Sequence, residues 1–135
     1  MICNRTIRYL VLLVGAALSL PAYSGAQSSS TQPETVLATF RVKPEQVPAF
    51  LKLMPQYWAA LRAQNLVLDG PHVVMQGEER GKPIIVELFR WKDHDAPEHV
   101  PPSIQRYWDQ MNQMVESRDG HAGIEFPEMQ ILKQD

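Results

Sequence analysis

The chain has 135 residues, 44% of them hydrophobic, which is length for one domain with a buried core. Its 13 basic and 15 acidic side chains give a formal charge of −2, and no run of Lys and Arg is present, which argues against nucleic acid and anionic membrane surfaces as partners. One cysteine, Cys3, excludes an intramolecular disulfide.

Residues 1–26 have the form of a secretory signal peptide: Arg5 and Arg8 precede an apolar run over residues 9–20, and Ser24, Gly25 and Ala26 supply small residues for cleavage. That run is shorter than the roughly 20 residues that span a bilayer. Cleavage would remove two arginines and no acid, taking the formal charge from −2 to −4, and would leave no cysteine. The expectation is a periplasmic or secreted protein, out of contact with the membrane once the leader is cut. Residues 27–33, QSSSTQP, read as a flexible linker, and residues 34–135 as a single domain.

Residues 35–42, TVLATFRV, are rich in β-branched side chains and predict a first strand with Val36, Ala38 and Phe40 on one face. Pro44 suits a first helical turn, where its missing N–H costs no bond, and Glu45 suits the positive end of the helix dipole. Val47, Phe50, Leu51, Met54, Trp58 and Leu61 follow at helical spacing as an apolar stripe, with Pro55 inside the helix predicting a bend. Residues 66–77 predict a second strand entered through Asp69-Gly70-Pro71, and residues 77–83 a polar loop leading to a third. The third strand, residues 84–91, places Ile85, Glu87, Phe89 and Trp91 on one face and Ile84, Val86, Leu88 and Arg90 on the other. Both faces are largely apolar, which predicts cover on both sides. Helical spacing restarts over residues 100–118, with Ile104, Tyr107, Trp108, Met111 and Val115 on one face and Asp119-Gly120 as the stop. Residues 124–132 give a last strand, in which Pro127 argues for an edge position or a bulge.

This order predicts an α+β fold of the ferredoxin-like βαββαβ kind, a four-stranded antiparallel sheet with two helices on one face. The other face needs a second layer. A second copy of the chain would supply it, so a homodimer is expected.

Within this frame Glu87 is the most informative residue. Between Ile85 and Phe89 on an apolar face, a carboxylate loses its hydration unless a partner replaces it. Arg41, Arg106 and Arg62 are candidate partners for a structural ion pair; with no cation beside it, burial would raise its pKa and make it a general base. His94, Glu98 and His99 lie close in sequence, but three residues separate His94 from Glu98 and Pro97 interrupts them, so the His-x-x-Glu-His pattern of zinc proteases is not met. A looser cluster of Glu87, His94 and His99 is the metal alternative; no metal is expected. His72, directly after Pro71, reads as a surface residue beside the second strand, and His121 as part of a turn. Trp58, Trp91 and Trp108 offer flat apolar area to a planar ligand and equally to the core. The chain contains no Gly-rich phosphate loop and no Gly-x-Ser-x-Gly elbow.

Two stretches resemble a known family. TVLATFRVKPEQVPAFLKLM is similar to the opening of the antibiotic biosynthesis monooxygenase-like group of dimeric α/β barrels, and Glu87-x-x-x-Trp91-x-Asp93-x-x-Ala96-x-x-His99 resembles that group's strand-three carboxylate, aromatic, acidic corner and histidine before the second helix. The resemblance implies a pocket between the sheet and the two helices of each subunit, used by some members for cofactor-independent oxygenation of polycyclic phenols and by others for haem degradation. Taken with the residues above, Glu87 and His99 are the candidate catalytic residues, and Trp58, Trp91, His94 and Trp108 the candidate substrate-binding ones. No cofactor is expected. The function expected is binding of a small aromatic or apolar organic molecule, with cofactor-independent monooxygenation or isomerisation as the chemistry. The alternatives are a non-catalytic binding or stress-related module, and haem or metal binding.

Overall fold

The computed structural model describes residues 31–133, so the predicted leader and most of the linker lie outside it. In chain order come β1 (Glu34–Phe40), a 3-10 turn (Pro44–Gln46), α1 (Val47–Ala63), β2 (Val73–Glu79), β3 (Lys82–Trp91), a second 3-10 turn (Ala96–His99), α2 (Pro102–Met114), β4 (Ile124–Glu125) and β5 (Glu128–Met129). All strand pairings are antiparallel, in the order β2-β3-β1-β4, with β5 also on β1. The ferredoxin-like α+β fold is therefore present, with five strands in place of four. The extra strand arises at Pro127. Thr39 pairs with Glu125 and Thr35 with Met129, so β4 and β5 share one register along β1 and no residue is inserted between them. Opposite Leu37, Pro127 accepts a backbone N–H at 3.3 Å but has none to give back, and the edge strand breaks there without bulging.

The β2–β3 connection is tighter than the sequence suggests. Glu79 already pairs with Lys82, and Arg80-Gly81 form the turn with φ of 52° and 76°. Positive φ at both central residues is the two-residue hairpin whose twist matches its strands. Most of the expected loop over residues 77–83 is therefore strand. At its other end β2 starts late, at Val73: Val67 bridges Trp91, and the chain then leaves the sheet through Asp69-Gly70-Pro71 before pairing again.

The helix-covered face of the sheet buries Val36, Ala38, Phe40, Ile85, Glu87, Phe89 and Trp91. Along α1 the buried residues are Phe50, Leu53, Met54, Tyr57 and Leu61, while Leu51 is 38% exposed. The stripe is thus turned toward Leu53 and Tyr57, because Phe50 packs on Phe40 with ring centroids 5.1 Å apart and Tyr57 accepts the Trp108 indole N–H at 2.9 Å. α1 continues through Pro55, which is exposed. α2 ends at Met114 and does not reach residue 118. Val115 turns extended and bridges Val42, with Lys43 N–H on the Met114 carbonyl (2.9 Å) and Glu116 N–H on the Arg41 carbonyl (3.0 Å). A β-branched residue gains more from that sheet edge than from another helical turn. Asp119-Gly120, both at positive φ, then close a turn between Arg118 and His121 and do not cap a helix.

On the opposite face, Ile84, Val86 and Leu88 are half-buried, and Val73 and Met75 beside them are 42% and 47% exposed. Among the described residues of one chain, β3 is covered on one side only.

Candidate functional site

Glu87 lies in the middle of β3, 1% exposed, on the face that meets the helices. None of the three arginines expected beside it is its partner. Arg41 forms a two-pronged pair with Glu79 (2.8 and 3.1 Å) and a contact with Glu125 (3.1 Å), and Arg62 pairs with Asp69 at 3.0 Å. Arg106 is an exposed residue of α2. The partner is His72, whose Nε2 is 2.8 Å from Glu87 Oε1. Continuing the β2 register one residue back from the Val73–Leu88 pair sets His72 opposite Phe89, diagonal to Glu87 on the same face. α1 closes the arrangement from above: the Trp58 indole stacks on the His72 imidazole with centroids 3.6 Å apart and planes within 7°. Among the described residues, Glu87 Oε2 is buried without a hydrogen-bond partner.

Burial dominates the electrostatics of this pair. It pushes Glu87 up from 4.5 to about 7 and pulls His72 below its usual value, so both groups are driven toward their neutral forms. Near neutral pH Glu87 therefore changes its protonation beside a His72 held neutral. When Glu87 is ionised it accepts the Nε2 proton, which leaves Nδ1 of His72 with a lone pair, since the bond made by one ring nitrogen sets the state of the other. No hydrogen bond to Nδ1 comes from the described residues, and His72 is 22% exposed. Of the two, His72 is the one that solvent reaches, and Glu87 behind it can hold the ring and balance an imidazolium. Tyr57 packs nearby, its hydroxyl pushed up by burial and by the charge of Glu87, and so kept protonated.

The aromatic candidates form a different wall. Trp91 and Trp108 meet edge to face at 6.5 Å and 84°, and Phe89 packs edge-on against both Trp58 and Trp91. Trp91 and Trp108 line a cavity of about 310 Å³ together with Val36, Pro97 and Phe126, with Glu34 and Glu98 as its two acidic residues. Glu87 lies four residues back along β3 from Trp91, roughly 13 Å away at the usual strand rise. The structure therefore separates the expected site into a proton-transfer pair (Glu87, His72, on Trp58) and an apolar cavity (Trp91, Trp108).

The corner histidines belong to neither the pair nor the cavity wall. His94 Nδ1 is 2.8 Å from Glu34 Oε2, a contact that raises the His94 pKa. Glu34, His94 and Glu128 bring one ligand atom each within 4.8 Å of one another, a group that could hold a cation; Glu87 and His99 are not part of it. His99 is exposed in the 3-10 turn and is not among the cavity-lining residues, so it does not fit a haem ligand facing that cavity. His72, expected as a surface residue beside the second strand, is instead 22% exposed between Trp58 and Glu87, and the signal for this was the Arg80-Gly81 turn, which fixes the hairpin register.

No family model and no curated protein sequence matches the chain. Solved structures do. A candidate antibiotic biosynthesis monooxygenase from Caulobacter crescentus superposes with a TM-score of 0.57 at 15% identity, over 77% of this chain and 93% of its own. SnoaB, a cofactor-independent oxygenase from Streptomyces nogalater, gives 0.53 at 16% identity over 76% and 95%. A conserved protein from Methanosarcina mazei gives 0.56 at 20% identity over 74% and 93%. The protein thus has the fold of the antibiotic biosynthesis monooxygenase-like structures, the fold that the two sequence stretches resemble.

Proposed function

We propose that the protein is an exported homodimer that binds a small aromatic molecule and carries out monooxygenase-like chemistry without a cofactor, with His72 as its base. The observation that carries this reading is the buried Glu87 at 2.8 Å from His72, clamped by Trp58. In such chemistry the protein's task is to remove a proton from a phenol or an activated C–H, after which the electron-rich substrate itself reduces dioxygen. Isomerisation would use the same transfer, with the proton returned to another carbon. His72 Nδ1 takes the proton, and Glu87 stabilises the imidazolium through Nε2. Above about pH 7 Glu87 is ionised and holds the Nε2 proton, which keeps the Nδ1 lone pair of His72 free. Export rests on the signal-like residues 1–26, and dimerisation on the half-covered apolar sheet face.

The test is oxygen uptake by the purified protein with polycyclic phenols as probes, without added flavin or metal. Uptake is expected in the wild type and should fall about 100-fold in His72→Phe, which keeps a ring on Trp58 but has no base. Glu87→Gln should also lower it, and His99→Ala should leave it unchanged. Full uptake by His72→Phe, or none by the wild type, counts against the reading.

One observation favours a second reading, a non-catalytic binding module. The cavity between Trp91 and Trp108 does not include His72 or Glu87 in its wall. On that reading the phenols bind without oxygen uptake, and the pair serves packing alone.

A further inference from the structure

We infer that the cavity beside Trp91 and Trp108 takes a planar organic cation, an aromatic ring system carrying an ammonium or iminium charge. The inference rests on this cavity being a ligand site, as both readings above allow, and it names the class of ligand. At about 310 Å³ the space sits at the lower end of the range for small-molecule sites. Its walls are Trp91, Trp108, Phe126 and Val36, and among the described residues no Lys, Arg or His lines it. Its charged side chains are the carboxylates of Glu34 and Glu98.

The lining chemistry is one-sided. Indole and phenyl faces carry the negative side of the ring quadrupole, so they attract a cation placed over them and repel an anion. Trp91 and Trp108 meet edge to face at 84° and both line the cavity, so aromatic surface in two orientations borders it. The donor that Trp108 could offer to an anionic ligand is already given to the Tyr57 hydroxyl at 2.9 Å. Glu34 is 13% exposed and held in place by His94 through one carboxylate oxygen, and Glu98 stands at the exposed end of the wall. A carboxylate-bearing or phenolate ligand would meet Glu98 and a Glu34 whose charge is offset in part by His94 behind it, with no cation in the wall itself among the described residues. A neutral aromatic would gain the apolar contact alone, whereas a cation gains the apolar contact, the ring faces and chiefly the Glu98 carboxylate.

The test is direct binding, followed by tryptophan fluorescence and calorimetry, with two probes of one shape and opposite charge: 10-methylacridinium and anthracene-9-carboxylate. The cation should bind at least tenfold more tightly, and the preference should shrink at least threefold in Glu34→Gln/Glu98→Gln. Trp108→Leu should weaken the cation at least tenfold, with Trp108→Phe, which keeps an aromatic wall, intermediate. Glu45→Gln, which removes one acid from the exposed turn before α1, should leave the preference unchanged and so separates the cavity from the general negative charge. Equal or tighter binding of the anion, an undiminished preference in the double variant, or no binding of either probe overturns the inference. No turnover is involved, so failure here leaves the role of His72 standing, and failure of oxygen uptake leaves this inference standing.

Discussion

The His72 imidazole lies flat on the Trp58 indole, 3.6 Å between centroids and 7° between planes. That contact fixes the ring plane, and the 2.8 Å bond to Glu87 fixes the rotation within it, so Nδ1 has one orientation. Stacking also acts on charge. An indole face stabilises an imidazolium more than an imidazole, while burial has the opposite effect, and burial wins in the resting pair, since His72 is held below its usual pKa. The ring is therefore a neutral base at rest, with an indole face and a carboxylate already placed for the charge it gains.

Glu87→Gln should change how stability depends on pH. Glu87 has a folded pKa raised from 4.5 to about 7, so its protonated form favours the fold; that stability is fully present below 4.5 and is lost as pH rises through 7. The loss amounts to about 3 kcal/mol in the wild type, and Gln cannot undergo it. His72 has the opposite sign: its lowered pKa means stability that falls as pH drops through its range. His72 is neutral over the upper part of the range, so the difference between wild type and variant there reports Glu87. Urea unfolding from pH 4.5 to 8 should show the variant gaining on the wild type as pH rises, and parallel curves would exclude a penalised carboxylate.

Much of this arrangement is legible in the sequence, and the parts that are not share a cause. Period-2 alternation along β3 places Glu87 correctly between Ile85 and Phe89, because an apolar strand has one way to face a core. The partner of Glu87 depends on register, and register follows from the turn. With Arg80-Gly81 as the turn, Glu79 meets Lys82, Val74 meets Glu87, and His72 falls beside them; a loop placed over residues 77–83 hides this. Arginine has the stronger claim on a carboxylate by charge, but Arg41 at the end of β1 meets Glu79 and Glu125 first. The end of α2 is hidden for a similar reason. Val115 fits the helical stripe by spacing, and only the free edge beyond β1, at Val42, decides otherwise.

Arg41→Met should destabilise the fold. Arg41 is 4% exposed, bonds both oxygens of Glu79, donates to the Ala122 carbonyl at 2.8 Å and contacts Glu125. These contacts tie the end of β1 to the β2–β3 hairpin and to β4. Removing the cation leaves the part-exposed Glu79 and Glu125 facing each other across the space it filled, and takes away the donor to the Ala122 carbonyl. Arg41→Lys should recover part of this, since one ammonium cannot reproduce the two-pronged contact. Chemical denaturation at neutral pH reads both, and a loss under about 1 kcal/mol in Arg41→Met would show the network to be ornamental.

Gly123→Ala tests the unpredicted extension after α2. A Cβ at position 123 would lie 2.7 Å from Val115 Cγ2 and 3.2 Å from the Glu116 carbonyl carbon. Gly123 is the residue whose carbonyl accepts the Arg41 N–H at 2.8 Å, so it cannot retreat without breaking that bond. Overpacking of this kind costs about 1–3 kcal/mol. Val115→Ala removes the nearer of the clashing atoms, so the double variant should be more stable than the two single losses added together. Strict additivity in a thermal unfolding series would mean that Val115 and Gly123 do not touch.

The uncovered sheet face gives the last expectation. Ile84, Val86 and Leu88 alternate with the buried residues of β3 and are half-buried, flanked by Val73 and Met75 on β2 and Met129 on β5. A monomer would leave this contiguous apolar surface in water, and large patches of that kind mark association sites. If two chains pack sheet to sheet, Val86 lies inside the joint, near its middle strand. Val86→Arg should then convert a particle of twice the chain mass to a monomer in light scattering at micromolar concentration. Removing that association should lower thermal stability and make the variant's transition independent of protein concentration, whereas the wild-type transition rises with it. A wild type that scatters as a monomer, with a melting temperature indifferent to concentration, would mean that some other layer covers β3.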